Sequence, residues 1–234
     1  MADARPARLQ SPLVKLLVID PSIAFPEDEG IREVAGDWPG EVRVLQPGLK
    51  PGDGPAPGDG YDVGGVVLMG SRASVHDDLP WLSPLGRWLD PILEGKTPIP
   101  LLGICFGHQV IGHRRGAGVG FVHADRKQEL GLQETVLAGS RLVPDLDRMR
   151  VVVSHNEEVK DLPAGYRVVA TRGGIRIDGM EHETLPIFSY QFHPEARREF
   201  LSERKVDLTG LDEDAVAKMS RLLAAFRAVA SSRP

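Results

Sequence analysis

The first half of the chain alternates between short apolar runs and longer stretches with apolar residues at helical spacing. Apolar runs of four to eight residues are typical of buried strands, whereas helical spacing predicts amphipathic helices. Apolar or alternating runs lie at 16–20, 41–45, 63–69 and 100–104, and the helices predicted between them lie at 27–37 and 81–93. This alternation predicts an α/β fold, in which a mostly parallel sheet carries helices on both faces.

The second half, after Gly116, has a different pattern. Its apolar runs are separated by turn residues, which predicts a mixed sheet. Its predicted strands are 132–137, 151–154, 167–170 and 187–192. A final helix is predicted at 212–229, because Asp212 is a typical N-cap and an apolar face follows it. That face comprises Val216, Met219, Leu222, Leu223 and Phe226.

Segment 47–60 interrupts this pattern. Nine of its fourteen residues are Gly or Pro, which excludes the interior of a helix or sheet. Because only 46 residues precede it, we expect a surface loop rather than a linker between domains.

Composition and charge narrow the classes of function. The 234 residues include 28 Lys and Arg against 33 Asp and Glu, and this net charge of −5 argues against binding nucleic acid or anionic membrane by bulk electrostatics. No apolar run approaches the roughly 18 residues that span a bilayer. The N-terminal segment carries Arg5 and Arg8, but Lys15 interrupts its apolar run and no signal-peptide cleavage site follows. We therefore expect a cytoplasmic protein.

Cys105 is the single cysteine of the chain. One cysteine excludes an internal disulfide and a multi-thiolate zinc site, which leaves either an inert core residue or a nucleophile. The sequence GICFG (103–107) follows an apolar run and precedes a helix-compatible stretch, as in a nucleophile elbow. In such a turn the helix N-terminus favours a thiolate, and the amide of Phe106 would face a developing oxyanion. This sequence context favours the interpretation of Cys105 as a nucleophile over that of an inert core residue.

A cysteine nucleophile requires a base, and the base requires an orienting group. His193 is the strongest candidate among the seven histidines, because an apolar run leads into it and Glu195 lies two residues further on. Cys105 and His193 both follow predicted strands, and the carboxyl ends of strands form the sites of open α/β sheets. His155 also follows a strand, so it either lines the same pocket or is a surface histidine.

Two segments, LLGICFGHQ (101–109) and SYQFHPE (189–195), together resemble the class I glutamine amidotransferases, a family with a Cys-His-Glu triad. The nearest resemblance is to the glutaminase domain of GMP synthetase and its standalone relatives. Similar runs also occur at 65–72, 78–82, 129–131 and 153–155, so the resemblance covers roughly residues 13–201. It implies one three-layer, flavodoxin-like domain over residues 1–234, with its core at about 13–201 and a C-terminal helix at about 212–230. The implied sheet is mostly parallel, with a small additional mixed or antiparallel sheet.

The resemblance also implies roles for particular residues. By position, Cys105 is the nucleophile, His193 the base and Glu195 its orienting carboxylate. The implied oxyanion donors are the amides of Ser71 and Phe106, with Gly70 shaping the turn, and the implied substrate contacts are Gln109, Ser154 and His155. Where this chain has Ser71-Arg72 the family more often has Gly-Pro, so we expect a differently shaped oxyanion loop in which Ser71 still presents its amide.

The implied activity is hydrolysis of the glutamine side-chain amide through a cysteine thioester, giving glutamate and ammonia. The sequence has no G-x-x-x-x-G-K-[ST] motif, so the ammonia acceptor is expected to be a separate ATP-dependent synthetase. One alternative is a standalone γ-glutamyl peptide or conjugate hydrolase with the same triad, and another is a catalytically silent interaction protein. The expected substrate is glutamine or a γ-glutamyl compound, and no cofactor or metal is expected.

Overall fold

The computed structural model of the chain describes residues 15–56, 58, 60–207 and 209–232. The predicted start of the core at residue 13 and the N-terminal residues Arg5 and Arg8 lie outside these ranges. The helices are α1 (Asp28–Ala35), α2 (Leu82–Leu93), α3 (Phe106–Arg114), α4 (Arg198–Glu203) and α5 (Glu213–Ser231). The strands are β1 (Leu16–Ile19), β2 (Val42–Leu45), β3 (Gly65–Leu68), β4 (Leu101–Ile104), β5 (Val119–Phe121), β6 (Glu129–Leu137), β7 (Arg148–His155), β8 (Glu157–Val159), β9 (Tyr166–Arg172), β10 (Ile175–His182) and β11 (Ile187–Tyr190).

Nine of these strands form one sheet in the order β2-β1-β3-β4-β11-β10-β9-β6-β7. The first five strands of that order are parallel, and the remaining four continue the sheet with antiparallel pairing. A separate two-stranded antiparallel sheet pairs β5 with β8. The predicted fold class is confirmed: a central sheet with a parallel half, helices on both faces and a small second sheet.

The two faces of the parallel half carry different helices. Alternate residues of a strand point to opposite faces, so Leu16 and Val18 pack with residues of α1 and α5. Leu17 and Ile19 pack on the other side with residues of α2 and α3. These contacts produce the three layers, and they place α3 directly behind the carboxyl end of β4.

Helix α5 begins as predicted, since the carboxylate of Asp212 accepts a 2.8 Å hydrogen bond from the amide of Ala215. The predicted apolar face differs at one position. Val216 is only half-buried, and Ala215 lies in the core instead.

The Gly- and Pro-rich segment 47–60 connects β2 with β3 through turns, as predicted, with residues 57 and 59 outside the described ranges. No helix in the described ranges is both long enough and apolar enough to cross a bilayer.

Strand β10 lacked a clear signal in the sequence. Its charged residues Asp178 and Glu181 are typical of an exposed loop, yet both are fully buried. Their partners come from other strands and loops: Arg172 pairs with Asp178, and Arg141 pairs with Glu181. Buried charges require such partners, and sequence periodicity does not reveal them.

Helix α3 buries a histidine that is held in its neutral form. The Nε2 of His108 lies 3.2 Å from the carbonyl of Ile177, which can only accept, and Nδ1 lies 2.9 Å from the hydroxyl of Ser189. Burial lowers the pKa of His108 to about 4. This histidine therefore links the stability of the fold to pH.

We expect His108 to make the protein sensitive to acid. Above pH 6.5 the ring is neutral in both the folded and unfolded states, so it contributes no pH dependence. Between that pH and about 4 the unfolded ring binds a proton that the folded ring excludes, which lowers the free energy of unfolding by roughly 3 kcal/mol. Urea unfolding at pH 7 and pH 4.5 should show this loss, and His108→Gln should reduce it. An equal loss in His108→Gln would assign the acid sensitivity to other groups.

Candidate functional site

Cys105 occupies the strained turn between β4 and α3. Its backbone φ is 51°, in the left-handed region that residues with a Cβ rarely adopt. Such a conformation costs of order 1–3 kcal/mol and persists only where the surroundings enforce it. Here the Cys105 amide donates to the carbonyl of Tyr190 at 2.8 Å, and its own carbonyl accepts from the amide of Gln109 at 3.1 Å. The strand-to-helix turn predicted from the sequence is therefore present.

The glycines on either side of Cys105 make this turn possible. A Cβ on Gly107 would lie 2.1 Å from the carbonyl oxygen of Leu68, and a Cβ on Gly103 would lie 2.8 Å from the carbonyl carbon of Gly107. Neither position has room for a larger residue, because backbone atoms obstruct both, and at Gly103 the Ile111 side chain lies closer still, at 2.6 Å. The close packing of β3, β4 and α3 therefore depends on both glycines.

The sulfur of Cys105 faces polar groups although the residue is buried. The side-chain amide of Gln191 lies 3.7 Å from the sulfur, and the carbonyl of Ser154 lies 3.8 Å from it. The following residue, Phe106, begins α3, and the first amides of a helix have no acceptor within the helix. The nucleophile predicted from the sequence is thus close to donors that can stabilise negative charge.

His193 and Glu195 form a buried pair. The Nδ1 of His193 lies 2.7 Å from Oε1 of Glu195. Burial lowers the pKa of His193, but the Glu195 carboxylate and the Cys105 sulfur outweigh burial and raise it to about 10. Within the described part of the chain, the other ring nitrogen, Nε2, is buried without a hydrogen-bond partner. The ring is therefore oriented by Glu195, with Nε2 left available for proton transfer.

Backbone contacts bring His193 close to Cys105. The His193 amide donates to the carbonyl of Val152 on β7 at 2.8 Å, which fixes the position of the loop that follows β11. A Cβ built on Gly70 would lie 2.8 Å from Cε1 of His193 and 3.6 Å from the Cβ of Cys105. The imidazole and the cysteine therefore meet over Gly70, at the end of β3, where a larger residue would displace the ring.

All the sequence-predicted site residues except Phe106 line one cavity of about 530 Å³. The lining includes Gly70, Ser71, Cys105, Gln109, Ser154, His155, His193 and Glu195. Phe106 directly follows Cys105 as the first residue of α3, and its ring packs into the core. The structure therefore brings the predicted triad, oxyanion and substrate-contact positions together.

His155 and Gln109 form one wall of the cavity through a shared acceptor. The Nδ1 of His155 donates to the carbonyl of Glu157 at 3.0 Å, and the side-chain amide of Gln109 donates to the same carbonyl at 2.8 Å. Burial and the nearby Arg172 guanidinium lower the pKa of His155 to about 3. Of the two possibilities that the sequence left open for His155, the structure supports the pocket-lining one, with a neutral ring.

Sequence reasoning missed a second wall, formed by the loop between β1 and α1. Ile23, Phe25 and Glu27 from this loop line the cavity. Asp20 holds the loop in place, since its carboxylate accepts from the amides of Ser22 at 3.1 Å and Glu27 at 3.2 Å. The sequence could have indicated this wall through the position of the loop, which follows the carboxyl end of a parallel strand, where sites in α/β sheets form.

A third group of missed residues packs against His193. The ring of Phe200 packs against the His193 ring at 4.7 Å between centroids, and the guanidinium of Arg204 lies 3.5 Å above Phe200. Arg204 also forms a 2.8 Å ion pair with Glu27. Burial raises the pKa of Glu27, although Arg204 opposes that shift. These contacts attach α4 to the loop before α1, and Phe200, Arg204 and Glu27 all line the cavity.

The fold and the site define an α/β protein with a cysteine nucleophile elbow and a His-Glu pair. The model of the family described as glutamine amidotransferase class-I matches residues 83–205. The chain therefore belongs to the class-I glutamine amidotransferase family.

Curated relatives of this chain include GMP synthases (glutamine-hydrolyzing) and their separate subunits. One such subunit, from Pyrococcus abyssi, is 42% identical over 134 residues, which cover 56% of this chain and 69% of that protein. Another, from Thermococcus kodakarensis, is 41% identical over 99 residues, covering 42% of this chain and 51% of that protein. The GMP synthase of Gibberella zeae is 35% identical over 141 residues, covering 58% of this chain and 24% of that enzyme. The chain thus spans only part of the relatives it matches.

Solved structures share the fold across almost the whole chain. A glutamine amidotransferase from Thermotoga maritima superposes with a TM-score of 0.70 at 21% identity and covers 94% of this chain and 97% of its own. A glutamine amidotransferase from Methylobacillus flagellatus gives a TM-score of 0.72 at 16% identity, covering 94% of each chain. At these identities the likeness establishes the fold.

Proposed function

We propose that this protein hydrolyses the side-chain amide of glutamine through a thioester on Cys105. The observation that carries the proposal is the meeting of Cys105 and the His193–Glu195 pair at one end of a cavity. The Cys105 thiolate attacks the amide carbon, and the carbonyl π electrons move to oxygen to give a tetrahedral oxyanion. Collapse of this intermediate breaks the carbon–nitrogen bond and leaves a thioester.

His193 carries the proton in both halves of this reaction. With its raised pKa the ring is an imidazolium at neutral pH, so Nε2 delivers a proton to the leaving nitrogen and ammonia departs. The neutral ring then takes a proton from water, and the resulting hydroxide attacks the thioester. Glutamate leaves and the thiolate is restored. Glu195 acts as the orienting carboxylate that stabilises the imidazolium.

The oxyanion is proposed to bind the backbone amides of Ser71 and Phe106. The hydroxyl of Ser71 is used in shaping the loop, because it donates to the carbonyl of Pro21 at 2.8 Å and accepts from the amide of Ala73 at 3.1 Å. Gly70 provides the space for the His193 ring beside this loop. Loss of one oxyanion donor typically costs about 100- to 1,000-fold in rate.

Ammonia is proposed to pass to a separate ATP-dependent synthetase, as a cytoplasmic partner of this chain. The relatives named as subunits of a glutamine-hydrolyzing GMP synthase support this, because such names describe one part of a larger synthase. The proposed unit is a single domain over residues 1–234, since nine strands form one continuous sheet and α5 packs on one of its faces. Gln109, Ser154 and His155 are the proposed contacts for the amino-acid end of the substrate.

A second candidate is the hydrolysis of a γ-glutamyl peptide or conjugate by the same triad. The cavity favours this alternative, because about 530 Å³ lies in the range of sites for ligands larger than one amino acid. Apolar side chains also line its outer part, with Ile23, Phe121 and Leu130 each about two-fifths exposed. These side chains would contact the amine portion of such a substrate.

Steady-state assays on free glutamine and on γ-glutamyl dipeptides will distinguish these candidates. We expect ammonia release from glutamine, with turnover that rises when an ATP-dependent GMP synthetase protein is added. Preferential cleavage of dipeptides without a partner would replace the first candidate with the second. No turnover of either substrate, and no labelling of Cys105 by a glutamine-analogue electrophile, would overturn both candidates and leave a silent interaction protein.

A further inference from the structure

The guanidinium of Arg172 links four strands behind the cavity. Its side chain is 1% exposed, and each of its three nitrogens donates a hydrogen bond. Nε and Nη2 lie 3.1 Å from Oδ1 of Asp178, on β10. Nη1 lies 2.6 Å from the side-chain oxygen of Gln133 and 3.4 Å from Oε2 of Glu129, both on β6. Nη2 also donates to Nε2 of His155 at the end of β7, at 2.8 Å.

These contacts define the protonation state of His155. A guanidinium only donates, so Nε2 of His155 must be the acceptor and carries no proton. The carbonyl of Glu157 only accepts, so Nδ1 must carry the proton. The ring is therefore the neutral Nδ1–H tautomer, and adding a proton at Nε2 would break the bond to Arg172 and place two cations in contact.

The end of β7 contacts both His193 and Cys105. Val152 accepts from the amide of His193, and the carbonyl of Ser154 faces the sulfur of Cys105. His155 follows directly and lines the cavity. The charged groups that face its ring are Arg172 on β9, Glu129 on β6 and His193 itself. A second cation at position 155 would therefore act directly on the proposed proton carrier.

We propose that Arg172 is a positioning residue that holds His155 as a neutral wall of the active site and leaves His193 as the only titrating imidazole in the described cavity lining. The proposal rests on the proposed glutamine hydrolysis for its kinetic consequence, but the tautomer of His155 follows from hydrogen bonding alone. Arg172 lies behind His155, and it acts on the reaction through that ring.

The direct test is the tautomer of His155 in the wild-type protein. In protein labelled with ¹⁵N-histidine, we expect the His155 Nε2 signal to stay in the unprotonated range, and Nδ1 in the protonated range, from pH 8 down to pH 5. A ring that titrates near pH 6.5 would overturn the proposal. This measurement does not depend on activity, so it separates failure of the proposal from failure of the proposed function.

The kinetic test uses the paired variant Arg172→Gln/Asp178→Asn. Removing Arg172 alone would leave the buried Asp178 carboxylate without its cation, whereas the pair removes both charges together. In the paired variant His155 loses its donor while Glu129 remains nearby, so the ring becomes free to accept a proton. Removing the Arg172 charge should raise the pKa of His155 from its lowered value, although burial still opposes protonation. In the paired variant kcat/KM for glutamine should therefore fall more steeply between pH 8 and pH 5 than it does in the wild type.

Two further variants test whether this new ionisation belongs to His155. Asp178→Asn alone keeps the Arg172–His155 bond and should have the wild-type pH profile. Adding His155→Gln to the paired variant removes the ring and should abolish the new ionisation. A paired variant with a lower melting temperature but an unchanged pH profile and KM would show that Arg172 is merely structural, and would overturn the proposal.

Discussion

Replacing Cys105 by alanine will reduce ammonia release from glutamine by at least about 10⁴-fold, because the thioester cannot form without the sulfur. The fold should survive. Alanine retains the Cβ, so the backbone strain at φ 51° is unchanged, and only one buried sulfur is lost. We expect the free energy of unfolding to remain within about 1 kcal/mol of the wild type. A coupled assay for glutamate, together with urea unfolding, measures both quantities.

Cys105→Ser is the matched control for shape. Its hydroxyl occupies the position of the thiol but does not ionise near neutral pH, so we expect a rate close to that of Cys105→Ala. Electrophile labelling should be absent in both variants. Full glutaminase activity in Cys105→Ala would refute the assignment of the nucleophile. Wild-type protein that is labelled but does not turn over would point to a missing partner rather than to a silent site.

Replacing Gly107 by alanine will have the largest expected effect on stability. The new methyl group would lie 2.1 Å from the carbonyl oxygen of Leu68, and that oxygen belongs to the central sheet. To relieve the contact, α3 must move away from β3, and Cys105 moves with it. We expect a loss of about 3 kcal/mol in the free energy of unfolding. Urea unfolding measures this loss. The fraction of Gly107→Ala that folds should hydrolyse glutamine at least about 100-fold more slowly than the wild type.

Gly173→Ala is the matched control for this substitution. Gly173 lies in the turn between β9 and β10, where an added Cβ would meet no atom within 4 Å. We expect a change in the free energy of unfolding within about 0.5 kcal/mol and unchanged turnover. If Gly107→Ala also left the free energy of unfolding and the turnover unchanged, α3 would pack on β3 less tightly than the distance to Leu68 indicates.

The sequence predicts the parallel half of the fold well because local pattern and tertiary environment agree there. Strands β1, β3 and β4 are buried on both faces and appear in the sequence as continuous apolar runs. Strand β10 was missed for the opposite reason, since Asp178 and Glu181 are buried by partners outside the strand. Strands β5 and β8 have only three residues each, which is too short for periodicity to appear.

The candidate site was predictable where one short motif carries the chemistry. Cys105 and the His193–Glu195 pair each lie in such a motif, and the structure brings them together. Arg172 and the loop that Asp20 holds were not predictable in this way. Arg172 is 67 positions from Cys105 in the chain and acts through contacts across four strands, and a lone arginine at a strand end has no distinguishing pattern.

The hydrogen bond between the His193 amide and the carbonyl of Val152 has a mechanical consequence. Cys105 is held at the centre of the sheet, through the carbonyl of Tyr190 on β11, and the loop that carries His193 leaves β11 and is bonded to β7 at the far antiparallel edge. The distance between sulfur and imidazole in the proposed site thus depends on how the antiparallel half curves back toward the centre of the sheet. A change in that curvature would misalign the proposed reacting groups even if the hydrophobic core stayed closed. The alignment proposed for catalysis is therefore a property of the sheet as a whole.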